Sequence, residues 1–130
     1  MPSVSLRLEP TSTSPRVARA AVASLLGRVG ELQALPAAAL IVSELVTNAV
    51  IHTRRPVELR LSYEADEHVL RGGVVDQSPT LPLPPTSPDA IPEPRGLLIV
   101  DRLATAWGTY GDQDGKVVWF ELRTENKPEQ

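Results

Sequence analysis

The chain has no cysteine among its 130 residues, which removes disulfides, thiolate nucleophiles and cysteine-ligated metals. Histidine is scarce as well. His52 and His68 are the whole complement, too few for a histidine-rich metal centre. Basic charge is neither in excess nor clustered. The net charge is -3, which argues against a nucleic-acid-binding surface. No apolar run reaches the roughly 18 residues that a membrane crossing needs. The first residues lack the charged start and apolar stretch of a secretory signal, so a cytoplasmic location without membrane attachment is expected. Internal repeats are missing too. What is present is ordinary globular material, 42% apolar and 22% charged, at a length that suits a single domain over residues 1–130.

One stretch organises the rest, ELVTNAVIHT from Glu44 to Thr53. It lies in a longer apolar segment, 36–52, whose spacing predicts a helix. Within it Glu44, Asn48 and His52 recur at four-residue steps and line up along one side. Leu40 and Ile51 fall on one flank of that line, Ile41 lies within it and Leu45 borders the other flank. A carboxylate, an amide and an imidazole set in apolar surface do not make an ordinary solvated face, which is broad and mixed in charge. Two readings stand at this point: a polar stripe at the edge of a core helix, or the lining of a site.

Around that helix the chain reads as follows. Residues 4–8 alternate as a half-buried strand. Ser14 offers an N-cap with Pro15 at the first helical position, and an amphipathic helix runs from there to about Leu26, stopped by Gly27 or Gly30. Residues 57–63 and 69–76 form two β-like runs joined across 65–68. Gly72 and Gly73 in the second run suggest a bulge or a close approach to the backbone. Residues 77–95 hold seven of the thirteen prolines, so that stretch is neither helix nor ladder. A short helix opens at Gly96. A last hairpin joins 106–110 to 116–122, and the tail from Thr124 is polar and expected to fray. The order β, α, α, β, β, α, β, β predicts an α+β fold with helices on one face of an antiparallel or mixed sheet.

Three segments in this order, ELVTNAVIH, VVDQSP and PRGLLIVDRL, followed by AWGTYGDQDGKVVWFEL, resemble the GHKL (Bergerat-fold) ATPase and kinase superfamily. They are closest to its small bacterial branch, the anti-sigma-factor serine/threonine kinases. The resemblance covers about Leu6 to Leu122. It implies a two-layer α/β sandwich with a mixed, mainly antiparallel sheet, and it implies ATP and Mg2+ as cofactors. By the same resemblance Glu44 is the general base and Asn48 the metal ligand. His52, Asp76, Ser78, Arg95, Gly96 and Leu97 join Asn48 on the nucleotide, with Asp76 accepting from the adenine amino group. Residues 77–95 take the place of the ATP lid. Partners would be a sigma factor, an anti-sigma-factor antagonist phosphorylated on Ser or Thr, or both, and a homodimer is compatible.

The sequence departs from the family pattern on the nucleotide side. Ser78-Pro79-Thr80 replaces a glycine-rich box, and Pro94 replaces a glycine and removes one N–H donor. Val117 stands where a threonine near the adenine is expected. Two functions therefore face each other: a Mg-ATP-dependent protein kinase, favoured by the intact Glu44 and Asn48, and a regulatory binding module with weak or no nucleotide binding, favoured by Pro79, Pro94 and Val117.

Overall fold

A computed structural model of the chain describes residues 1–76, 96–112 and 115–125. Five strands and three helices follow in the order β1 (Ser3–Leu8), α1 (Ser14–Val29), α2 (Leu35–Thr53), β2 (Val57–Glu64), β3 (Val69–Asp76), α3 (Gly96–Leu103), β4 (Ala106–Asp112) and β5 (Gly115–Arg123). The strands form one sheet in the order β1-β2-β3-β5-β4. Each of its four ladders is antiparallel, so no parallel pair is present among the described strands. The proline-rich residues 77–95 lie outside the described residues.

Strand alternation decides which face of the sheet is buried. Val57, Leu59, Leu61 and Tyr63 of β2, Leu70 and Val74 of β3, and Val118, Phe120 and Leu122 of β5 point to one side and are buried there. The helices cover that side. On α1, Ala18, Val22, Leu25 and Leu26 recur at helical spacing, as do Ala38, Ile41, Val42, Leu45, Val46 and Ala49 on α2, and all belong to the same core. Leu97 and Val100 close it from α3. The layers follow from two periodicities meeting, two residues on the strands and 3.6 on the helices.

Several expectations are refined. The helix expected to begin with Ser14 as its cap is capped by the backbone of Thr13, with no side-chain cap bond. Ser14 is instead buried, and its hydroxyl donates to the Glu9 carbonyl. That helix passes through Gly27 and stops at Gly30, whose φ of 77° suits a glycine in a left-handed cap. Gly72 and Gly73 do not form a bulge, because their register against β2 and β5 is continuous. Gly72 serves close approach: a Cβ there would lie 2.5 Å from a Phe120 ring carbon and 2.9 Å from Leu61. Gly108 and Trp119 are cross-strand partners, and a Cβ on Gly108 would meet the indole at 2.8 Å. That contact accounts for a glycine opposite the tryptophan in the last hairpin. By length and a mean hydropathy of 1.8, Leu32–Ile51 could cross a membrane, contrary to the expectation that no such segment exists. Here it forms the core helix of a globular layer.

The direction of α2 fixes where its polar residues lie. Residues 54–56 join its C-terminus directly to β2, whose first residues sit opposite the last residues of β3, with Glu58 paired to Val75. The C-terminal half of α2 therefore lies at the Asp76 end of the sheet. Its N-terminus lies at the other end, about 25 Å away for strands of this length.

Candidate functional site

Glu44 and Asn48 are half-buried on α2, one helical turn apart. Beneath them Ile41 and Leu45 are at most 2% exposed, whereas Leu40 and Ile51 stand out at 43% and 64%. The polar row thus runs along the border between core and surface. Glu44 makes no hydrogen bond or ion pair to a described residue. The Nδ2 atom of Asn48 is buried and has no hydrogen-bond partner. Leaving such a group unsatisfied costs about 1–3 kcal/mol, so the position is one a ligand would relieve. Rotation of the carboxamide exchanges its two ends. The same position can therefore offer an N–H to a phosphate oxygen or the amide oxygen to a metal.

The residues expected alongside them fare differently. Asp76 ends β3 and is 1% exposed. Its side chain faces inward, toward the helical layer, and its cross-strand partner is Lys116. The Lys116 ammonium lies 3.8 Å from the Asp76 carboxylate, with both side chains nearly removed from solvent. α3 begins at Gly96, but Leu97 is a core side chain at 1% exposure. Only its backbone could therefore serve a ligand. The His52 side chain, Ser78 and Arg95 fall outside the described residues, as do Pro79 and Pro94. α2 packs against both β3 and α3, so Glu44 with Asn48, Asp76, and the start of α3 come from α2 and the two elements packed against it.

Lys116 is the residue that sequence reasoning missed, and Val117 is the one it misplaced. Val117 is paired with Val75 on the uncovered face of the sheet. It lines a groove of about 490 Å3 there with Gly73, Tyr110 and Trp119. Among the described residues, no candidate for nucleotide or metal lines that groove. The signal for Lys116 was available in the alternation of KVVWFEL. If Val118, Phe120 and Leu122 face the core, Lys116 faces it too and Val117 does not.

A second buried carboxylate sits at the opposite end of the sheet. Glu31, just before the turn into α2, accepts from Gln33 Nε2 at 2.6 Å, from Thr124 Oγ1 at 2.6 Å and from the Tyr63 hydroxyl. Nδ1 of His68 lies 3.0 Å from it. Burial alone would raise the Glu31 pKa. The bonds from Thr124, Tyr63, His68 and Gln33 outweigh it and bring the pKa from 4.5 down to about 2. Burial and the Glu31 contact push Tyr63 upward. Thr124, expected to begin a frayed tail, is 4% exposed and tied into this network by its hydroxyl and its amide. None of these residues figured among the candidates.

Three helices on one face of a five-stranded antiparallel sheet, with a half-buried Glu-Asn row on the central helix, define a histidine-kinase-like ATPase architecture. Residues 7–122 match the histidine kinase-like ATPase domain, and the chain belongs to that family. The RsbU and RsbW domains of Rv1364c from Mycobacterium tuberculosis share the fold. The TM-score is 0.70 at 18% identity, over 95% of this chain and 32% of that one. The chain thus spans about a third of the length of that structure. No curated protein matches it.

Proposed function

We propose that this domain is a Mg-ATP-dependent serine/threonine kinase of the anti-sigma-factor type. It would phosphorylate an anti-sigma-factor antagonist, bind a sigma factor, or both, in the cytoplasm. Glu44 takes the proton from the attacking Ser or Thr hydroxyl as its oxygen bonds to the γ-phosphorus, while the bond from that phosphorus to the β–γ bridging oxygen breaks and ADP leaves. Asn48 holds the metal by its amide oxygen, and Asp76 accepts from the adenine amino group. Mg2+, when bound, supplies charge neutralisation of the triphosphate, and the protein's share of catalysis is mostly positioning. His52, Ser78, Arg95 and the backbone at Gly96 and Leu97 are assigned to the nucleotide with them. Dimerisation is compatible with this reading.

The supporting observation is the unpartnered buried amide of Asn48 one turn from Glu44. It is tested by calorimetric titration with ATP, with and without Mg2+, on the parent and on Asn48→Ala. The parent should bind, and Asn48→Ala should weaken Mg-ATP at least tenfold while changing Mg-free ATP little, since a bond to a charged group is worth about 1.5–3 kcal/mol. Equal losses in both titrations would make Asn48 a structural residue. A parent that binds no ATP would leave the regulatory module as the function.

A further inference from the structure

We infer that Leu40 and Ile51 form a docking strip for the acceptor segment of the protein substrate, and that they select Ser or Thr sites with apolar residues at set positions. The inference rests on the kinase reading above. Exposed apolar side chains taken singly are ordinary, so exposures of 43% and 64% carry nothing alone. Their place around Glu44 does. At 100° per residue, Ile51, Glu44 and Asn48 lie about 20°, 40° and 80° round the helix from Leu40, and the buried Ile41 follows at about 100°. Glu44 therefore stands at a seam. On its core side is Asn48 with its buried, unpartnered Nδ2, which is the nucleotide's side in that reading. On its solvent side is the apolar strip. A hydroxyl that gives its proton to Glu44 while attacking a phosphorus held on the Asn48 side has to arrive from the side of the strip.

The helix also says what kind of segment fits. α2 carries no Lys or Arg, and Glu44 is its only carboxylate. Acidic flanks would meet no fixed cation on it, and basic flanks would compete for the base. Apolar flanks would find Leu40 and Ile51. Glu44 lies four residues after Leu40 and seven before Ile51, about 6 Å and 10 Å along the axis at 1.5 Å per residue. An extended chain advances about 3.3 Å per residue, and its even-numbered neighbours face the same way as the acceptor. With the hydroxyl at Glu44 and the chain lying along α2, the second residue to one side reaches Leu40. On the other side the second and fourth residues bracket Ile51. The occupant is thus an extended Ser or Thr segment with apolar side chains at even positions from the acceptor.

The probes are synthetic serine peptides in a Gln/Gly background. One carries leucine at the second and fourth positions on both sides of the serine, one at the first and third, and one carries none. With Mg-ATP, phosphate transfer to the first should have a kcat/KM about tenfold or more above the other two, the size expected for burying two apolar side chains in part. Leu40→Ser and Ile51→Ser should each raise KM for that peptide about threefold or more. They should leave kcat, calorimetric ATP affinity and the other two peptides as they were. A merely structural role would slow all three peptides alike and would show in a thermal melt. Equal rates on the three peptides, transfer to none of them by a protein that binds Mg-ATP, or variants that slow all three alike would each overturn the strip. Variants that leave the peptide rates unmoved but change the sedimentation of the protein would assign the strip to a second copy of the chain instead. A parent that binds no ATP would remove the kinase reading itself, and the docking role with it.

Discussion

The two ends of the sheet hold buried carboxylates with different kinds of neighbour. Glu31 has four side chains around it and sits among elements as distant in sequence as α2 and the end of β5. Asp76 faces an ammonium at 3.8 Å, on the end of the sheet toward which the Glu44–Asn48 row runs. Burial costs both groups hydration. At Glu31 the protein repays that cost by itself, and the result is a clamp that joins the start of α2, the β2–β3 hairpin and the segment after β5. At the Asn48 amide the repayment is incomplete, because its buried Nδ2 has no hydrogen-bond partner. On the proposed reading, stability and function occupy different ends of one layer. The unsatisfied Asn48 amide is where a ligand has something to gain by binding.

The contrast is broken or sharpened most directly by one pair of substitutions made side by side. Glu31→Gln removes a charge that several donors need, and breaking a buried charged network costs about 3–5 kcal/mol. In a domain of this size that lowers Tm by roughly 10 °C or more, with ATP affinity unchanged in the protein that remains folded. Asp76→Asn removes the partner of the buried Lys116 ammonium, so it too should cost about 3–5 kcal/mol, but unlike Glu31→Gln it should weaken ATP more than GTP. Thermal or urea unfolding and calorimetry on both variants check it. An Asp76→Asn protein that, while folded, binds both nucleotides as the parent does would make that carboxylate structural as well.

Acid provides a smaller and graded version of the same test. The Glu31 pKa is about 2 in the folded chain against an ordinary 4.5. A depressed carboxylate contributes stability that is fully present above the unfolded pKa and is lost as the pH falls through the folded one. The loss belongs to the window from about pH 4.5 down to about pH 2. Urea midpoints measured across that window should fall more steeply for the parent than for Glu31→Gln, which has no proton to take up there. Parallel curves would show that Glu31 does not carry the acid sensitivity.

Legibility in the sequence divided along the same line. Glu44 and Asn48 could be found because they lie on one helix, where four-residue spacing is visible without knowing the fold. The core face of α1 and the alternation of β2 were legible for the same reason, since each is set by a local period, whereas Leu40 and Ile51, read as apolar flanks of the polar row, stand exposed. The family resemblance supplied Asp76, which no period would have singled out. The Glu31 clamp was not legible: its partner Thr124 is 93 residues away, and nothing in a lone Glu before an apolar helix points across that distance. Lys116 was a different kind of miss. The alternation of β5 places it inward, whereas the family pattern singles out Val117 as a lost hydroxyl, and Val117 faces the other side of the sheet.

The smallest predicted effect decides whether burial or the number of bonds sets the value of the Glu31 clamp. Arg71 lies across from Glu121 in the β3–β5 ladder and donates to it at 2.7 Å, with Glu67 at 3.5 Å and Glu64 at 3.8 Å around the same guanidinium. By count this network is nearly as rich as the one at Glu31, with three side chains against four. It differs in exposure, at 40% for the Arg71 side chain and 32% for Glu121. The hydrogen bond that Arg71 donates to Glu121 leads in holding Arg71 above its ordinary pKa, with burial acting the other way. Since an arginine is charged at any working pH, that shift has no stability consequence to read. Water competes for every bond in this cluster, and ordering long exposed side chains costs entropy, so many such pairs contribute nothing measurable. Glu121→Gln should therefore leave the melting temperature within experimental error, in low salt and in high salt alike. If it instead lowers Tm as far as Glu31→Gln does, bond number rather than burial sets the value of such networks in this protein, and the difference between the two ends of the sheet loses its physical basis.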